Sequence, residues 1–240
     1  MADLPLFFHP KIAQAQESLE LPEESARHIV QVLRMQVGEA LQLVDGRGIL
    51  ADCIIQERGK KSCKVSIEKR TFQTPYSPSL QLCIAFTKNA SRNEWLLEKA
   101  TELGVGLITP IITERSIRER IKEDRWHKIL VSAMLQSRQT WLPILEGPQT
   151  FESIISSNSE QKLLAHCMDG DAEKLPISEA LKLGFRTQIF IGPEGDFSPT
   201  ELILAKQAKA VSISLGSNRL RTETAALAAI IYFYLINHAY

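Results

Sequence analysis

The segment "IGPEGDFSPTE", residues 191–201, joins the end of an apolar run to a Gly/Pro turn and then to a helix start. Turns of this kind usually cradle phosphate, because glycine admits close backbone approach and the free N–H groups of the helix end point at an anion. Here the turn carries Glu194 and Asp196, and two carboxylates disfavour a pyrophosphate. A P-loop is excluded as well, since no G-x-x-x-x-G-K occurs. Charge therefore favours a ligand that is neutral or cationic on this side. The plain alternative is a tight turn with two solvated acids. Ser198, Pro199 and Glu201 form an S-x-x-E capping box with proline in the first turn, which assigns Glu201 to helix initiation rather than chemistry.

A second glycine loop follows in "SLGSNRLRTETAALAA", residues 214–229. Leu220 stands between Arg219 and Arg221, an apolar residue in a polar loop, and Thr222 and Thr224 are both candidate caps for the helix that closes the chain. An adenine pocket uses such a residue, being mostly apolar wall with a few fixed polar groups. Alternatively, Leu220 plugs the core and both arginines are solvated.

The chain as a whole has 240 residues, with 28 Lys plus Arg against 28 Asp plus Glu. A balanced charge removes any argument from pI to nucleic acid, so RNA contact has to come from a local patch. The longest apolar run, "AALAAIIYFYLI" at 225–236, is too short for a membrane span and reads as a buried helix. "MADLPLFFHPK" lacks a basic region before its apolar run, so it is no signal peptide, and a cytoplasmic protein without membrane contact is expected. Cysteines 53, 63, 83 and 167 show no C-x-x-C and are expected to be reduced and buried; the five histidines lack metal-ligand spacing, so no metal is expected.

The elements that must position these loops change style near residue 75. Before it, "LPLFF", "ALQLVDG", "GILADCIIQERG" and "KSCKVSIEKR" are strand-like, separated by the turns "DGRG" and "ERGKK". One helix is predicted over "LPEESARHIVQVLRMQVG", residues 21–38, with Ile29, Val32 and Leu33 on one face and Gly38 as its stop. "TFQTPYSPS", residues 71–79, reads as a linker. Beyond it apolar strands alternate with helices: "LQLCIAF", "LITPIIT", "KLLAHCM", "TQIFIG" and "VSISLG" each precede a helical pattern. This grammar predicts an α/β fold with a mostly parallel sheet covered on both faces. Ligands of such sheets bind beyond the C-terminal strand ends, where both glycine loops lie.

The pair "IGPEGDFSPTE" and "SLGSNRLRTETAA" resembles the RsmE family, SPOUT methyltransferases that methylate N3 of a uridine in 16S ribosomal RNA. "HIVQVLRMQVGE" (28–39), "EKATELGV" (98–105), "ITPIITERS" (108–116), "QS" at 136–137 and Pro143 match in the same order, so the likeness spans nearly the whole chain. The resemblance implies a PUA-like RNA-binding β-barrel over residues 1–72, a linker at 73–79 and a SPOUT domain over 80–240 with a deep trefoil knot. It also implies a homodimer that completes each active site from two subunits, S-adenosylmethionine as cofactor and 16S rRNA, in the small ribosomal subunit or its precursor, as partner.

Carried over by motif, the cofactor loops hold Gly192, Pro193, Glu194 and Gly195, then Leu215, Gly216 and Leu220 through Arg221, Thr222, Glu223, Thr224 and Ala225; Leu164 and His166 follow an earlier strand. A cation beside the uracil carbonyls favours loss of the N3 proton, and Arg221 is the first candidate for that catalytic role, with Arg138 the second. For the proton itself His166 is a candidate acceptor, with a structural loop histidine as the alternative. Phosphate contacts fall to Arg27 and Arg34, seven apart on one helix face, and to Lys60 and Lys61 at a hairpin tip. The chain departs from the family pattern at Asp196, where glycine is usual, at Leu135 and Gln139 in "LQSRQ", and at Leu6. Two other functions compete: an inactive RNA-binding or ribosome-assembly factor, and a SPOUT enzyme acting on another RNA such as a tRNA ribose.

Overall fold

The computed structural model describes residues 4–15, 17–116, 122–168 and 174–238. Two compact units divide the chain: Met1–Pro75 with Val131–Leu142, and Tyr76–Leu130 with Pro143–Tyr240.

In the first unit β1 (Leu6–Phe8), β2 (Ser18–Glu20), β3 (Ala40–Val44), β4 (Ile49–Arg58) and β5 (Cys63–Phe72) make one sheet in the order β1-β3-β4-β5-β2. Only the β1–β3 pair is parallel. The inward residues alternate along each strand, so Leu41, Leu43, Cys53, Ile55 and Val65 are fully buried or nearly so. The β3–β4 turn is fixed by Asp45, whose Oδ1 accepts the N–H groups of Arg47 at 2.8 Å and Ile49 at 3.0 Å. Gly46 and Gly48 take the positive φ values, +72° and +97°, that this turn requires.

The predicted helix over 21–38 is shorter and differently wound. α1 spans Glu23–Arg27, and a π-helical turn continues it through His28–Val32, shown by the Leu33 N–H donating to His28 O five residues back. The wider turn breaks the 3.6-residue register. Ile29 is therefore buried while Val32 and Leu33 are 66% and 42% exposed, instead of sharing one apolar face. Arg34 lies past the helical turns at φ +56°, so it does not share a helix face with Arg27.

The second unit contains β6 (Leu80–Ile84), β7 (Leu107–Ile112), β8 (Ile144–Leu145), β9 (Gln149–Thr150), β10 (Gln161–Ala165), β11 (Leu175–Pro176), β12 (Thr187–Ile191) and β13 (Val211–Ser214). Their order is β11-β13-β10-β12-β6-β7-β8, with β9 paired to β7, and every pairing is parallel. The helices are α2 (Ala90–Glu102), α4 (Phe151–Ile155), α5 (Ile177–Ala180), α6 (Pro199–Gln207) and α7 (Thr222–His238), while α3 (Glu123–Gln136) is divided between the two units after Leu130. Each residue of central β12 is buried, as expected of a parallel strand covered on both faces. "ISEALKLG" supports only the four-residue α5, because Leu181 turns to extended backbone at ψ 122°.

Cys53, Cys63 and Cys83 are buried, and burial pushes the Cys53 thiol up to about 12. Cys167 departs from the expected burial: it lies beyond the end of β10 and is exposed.

Candidate cofactor cleft

Strand register brings the three candidate loops together. Ala165 at the end of β10 pairs with Ile191 of β12 on one side and Ile213 of β13 on the other, so the chain leaves all three strands at the same edge. The loops after them line a cleft of about 690 Å³, within the ordinary range for a small-molecule site.

The 192–197 turn closes through the Asp196 N–H, which donates to Pro193 O at 2.9 Å. A Cβ at Gly192 would lie 3.1 Å from the ring of Phe197, which is itself buried against Phe151. Asp196 sits in the left-handed region at φ +62°. Its Oδ1 accepts the Phe197 N–H at 2.9 Å and its Oδ2 accepts the Cys167 N–H at 2.7 Å, so this acid ties the loop after β10 to the loop after β12. Both acids of the turn line the cleft; Glu194 is exposed, while Asp196 is half-buried with both carboxylate oxygens engaged by backbone N–H groups.

The turn is held from behind by residues whose partners are far off in sequence. Ser198 and Glu201 form the expected capping box, with the Glu201 N–H donating to Ser198 Oγ at 3.3 Å and the Ser198 N–H donating to Glu201 Oε2 at 2.8 Å. Glu201 Oε1 also accepts the Glu114 N–H at 2.9 Å, which fastens the loop after β7 to the start of α6. Arg115 completes this clamp by donating from Nη1 to Gly195 O at 2.9 Å. Nothing in residue spacing pointed to Arg115; "ITPIITERS" carried a resemblance without assigning it a role.

The third loop turns at Gly216, φ +122°, and enters α7. Arg221 O accepts the first helical bond, from the Ala225 N–H at 2.8 Å, so Arg221 rather than Thr222 or Thr224 occupies the cap position. Thr222 Oγ1 donates to Gly192 O at 3.1 Å, joining this loop to the GPEG turn. The Arg221 side chain is exposed at the cleft, and no ion pair or hydrogen bond engages its guanidinium among the described residues.

His166 lines the cleft with a buried Nδ1 that has no hydrogen-bond partner among the described residues. Its pKa is lowered, first by burial and then by Lys174, with Asp196 opposing, so the ring is neutral at pH 7. A neutral imidazole has one acceptor nitrogen, and Nδ1 is free to serve.

Of the residues singled out in the sequence, His166, Gly192, Pro193 and Glu194 line the cleft from two loops, and Leu215, Gly216, Leu220, Arg221, Thr222 and Ala225 from the third. Leu164 is placed instead in the buried cluster that holds Phe190 and Phe197. Gly195 backs onto Arg115, and Thr224 is exposed outside the cleft lining. Glu223 turns to Arg92 at 3.4 Å, and its buried Oε2 has no partner among the described residues.

Arg138 belongs to the first unit, where Nη1 donates to Leu4 O at 3.2 Å and Nη2 to Gln42 Oε1 at 2.9 Å. Arg27 and Lys61 both approach Glu23 Oε1, at 2.5 and 3.7 Å, and the Lys60 carbonyl accepts from Gln31 at the hairpin tip. Among the described residues no group of three or more His, Cys, Asp and Glu could hold a metal ion, and no helix is long and apolar enough to cross a membrane.

Comparison with known proteins matches residues 75–233 to an RNA methyltransferase domain and residues 21–68 to an RNA methyltransferase PUA domain. Ribosomal RNA small subunit methyltransferase E of Rickettsia conorii is 32% identical over 96% of this chain and 95% of its own length. The crystal structure of a probable rRNA-methyltransferase from Porphyromonas gingivalis superposes with a TM-score of 0.92 at 38% identity, covering 99% of this chain and 100% of that one. The ribosomal RNA small subunit methyltransferase E of Neisseria gonorrhoeae, solved bound to S-adenosyl methionine, superposes with a TM-score of 0.81 at 27% identity over 98% of both chains. Three loops of a parallel sheet tied into one cleft, a preceding PUA domain and full-length relatives converge: the chain belongs to the RsmE family of RNA methyltransferases.

Proposed function

We propose that the protein methylates N3 of one uridine in 16S rRNA of the small ribosomal subunit or its precursor, using S-adenosylmethionine, as a cytoplasmic homodimer. The observation that carries this reading is the cleft, whose loops are locked together by Asp196 and Thr222 before any ligand arrives. Its donor set fits the cofactor. Pro193, Leu215 and Leu220 supply apolar wall for an adenine, Glu194 favours a cationic centre, and Arg219 and Lys174 suit a carboxylate. S-adenosylmethionine supplies a methyl group on a cationic sulfur, and the protein's part is mainly to align an acceptor with it. Arg221 stabilises the negative charge that develops on the uracil carbonyls as the N3 proton leaves. Nδ1 of His166 accepts a hydrogen bond from the bound cofactor. Arg138 is the second candidate for the charge-stabilising role, across the dimer, with some of its donors already engaged in its own unit.

In this reading residues 1–72 hold RNA, with Arg27, Arg34, Lys60 and Lys61 on phosphates, residues 73–79 link, and residues 80–240 transfer the methyl group and carry the trefoil knot. The test is to incubate the protein with methyl-labelled cofactor and undermethylated small subunits, then map the labelled nucleotide. Label on N3 of a single 16S uridine is expected. Label on tRNA, or on no RNA, overturns the proposal.

A further inference from the structure

A second surface lies wholly within the first unit, where the β3–β4 turn, the end of β5 and residues 140–142 meet. The Gly48 N–H donates to Thr140 O at 3.0 Å, the Gln73 N–H donates to Gly48 O at 2.8 Å, and the Leu142 N–H donates to Gly46 O at 3.0 Å. Trp141 Nε1 adds a bond to Gln73 O at 2.8 Å. These bonds make a rigid base, and the fit is close: a Cβ on Gly48 would stand 2.7 Å from Trp141 and 2.8 Å from Phe72.

On this base the rings of Phe72 and Trp141 meet edge to face, 5.9 Å apart at 82°. Phe72 is nevertheless 64% exposed, so its ring keeps a face in water at the end of a ten-residue strand. Packing within the unit does not explain a large aromatic held rigidly and left open. The charge nearest it in sequence is mainly basic. Segments 46–48, 70–74 and 137–142 contain Arg47, Arg70 and Arg138; Arg70 and Arg138 are bonded to Ala15 O and Leu4 O, and the acid of the turn, Asp45, is buried with its carboxylate on the Arg47 and Ile49 N–H groups. Arg47 is exposed at the turn tip, its backbone bridged to Trp141, and its guanidinium makes no ion pair among the described residues.

From this juxtaposition we infer that Phe72, backed by Trp141 and flanked by Arg47, is a stacking platform for an unpaired RNA base, with Arg47 on the adjoining phosphate. The inference rests on the RNA-directed reading above and adds to it a contact outside the four cations named there. Exposed aromatics beside arginine suit single-stranded RNA, because every base offers a ring face and the phosphate offers the charge. An acidic protein partner would meet the arginines equally well, and unchanged single-strand affinity in Phe72→Ala is the outcome that would favour it.

The test compares Phe72→Ala, Phe72→Tyr and Arg47→Ala with the unaltered full-length protein. The probes are a mixed-sequence single-stranded oligoribonucleotide, the same sequence as a duplex, and undermethylated small subunits. Phe72→Ala is expected to weaken single-strand binding about tenfold, within the range for loss of one stacked base, and to raise KM for subunits with kcat unchanged. Phe72→Tyr restores binding, because it restores the ring. Arg47→Ala reduces the salt slope of binding by about one phosphate contact. Duplex binding stays as it was in both Phe72 variants, and cofactor affinity in all three.

Single-strand affinity unchanged in Phe72→Ala, or an equal loss on duplex, overturns the platform. A protein that binds the single strand through Phe72 yet labels no 16S uridine keeps the platform and loses the proposed activity. A protein that labels the uridine with Phe72→Ala indistinguishable from the unaltered chain does the reverse.

Discussion

In the second unit Asp196, Glu201 and Thr222 each commit a side chain to a backbone group of a neighbouring loop; in the first, Arg27 and Lys61 both reach a single exposed carboxylate, Glu23. The energetic scales differ accordingly. A hydrogen bond to a charged group in a partly buried loop contributes about 1.5–3 kcal/mol, whereas an exposed ion pair contributes about 0.2–1 kcal/mol. The cleft is thus held in shape in advance, while the cations of the first unit remain free to exchange one anion for another. A small cofactor needs the former, and a long polyanion that must be bound and released needs the latter.

The comparison breaks most visibly at Arg221, which lines the preformed cleft without helping to form it. Arg221→Ala is expected to lower kcat by about 100-fold or more, the scale for losing one donor that stabilises developing charge. Because its side chain holds no loop, cofactor Kd should stay within about threefold. Single-turnover methylation and calorimetric titration separate these quantities, and an unchanged rate removes Arg221 from the chemistry.

Asp196 gives the next largest effect, and in the opposite quantity. Asp196→Gly and Asp196→Ala both remove the tie to Cys167, and both should weaken cofactor binding about tenfold while leaving kcat at saturating cofactor intact. Their melting points should part, because glycine accepts φ +62° freely and alanine retains a strain of about 1–2 kcal/mol. Wild-type cofactor affinity in Asp196→Gly would show that the tie does not shape the cleft.

What was legible in the sequence follows the reach of each interaction. The Ser198–Glu201 box is local, and β12 announces itself as an apolar run because both faces of a parallel strand are covered. The Asp196–Cys167 tie spans 29 residues and the Arg115–Gly195 bond spans 80, and no local pattern records either. Thr222 looked like a cap because threonine often is one, but its hydroxyl serves Gly192 thirty residues earlier. The π-turn at His28–Val32 escaped for another reason: it changes helical period in mid-segment, so a spacing rule that fits Ile29 misplaces Val32 and Leu33. Two-residue strands such as β8 and β9 are too short to carry any period at all.

A pH dependence tests the cleft side of the comparison more finely. The folded-state pKa of His166 lies below its ordinary value, so between the two the unfolded chain binds a proton that the folded chain refuses. The stability tied to neutral His166 is therefore complete above about pH 6.5 and is lost as pH falls from there toward the lowered value. His166→Asn should flatten that limb of the melting curve against pH. An equally steep fall in His166→Asn assigns the limb to other groups.

The smallest effect belongs to the exposed cations, and its sign is the informative part. If Glu23 merely stabilises the fold, Glu23→Gln should lower the melting point and leave RNA binding alone. If instead it occupies Arg27 and Lys61 until phosphate displaces it, Glu23→Gln should tighten RNA binding about two- to threefold at low ionic strength, with the gain fading as salt screens the pair. The second outcome is expected, because Arg27 and Glu23 are both about half exposed in their side chains, 49% and 58%, and such a pair does little for stability. Binding isotherms over a salt series decide it. A gain that persists at high salt would mean the carboxylate acts by shape rather than charge, and a loss of affinity would remove Arg27 and Lys61 from the phosphate contacts altogether.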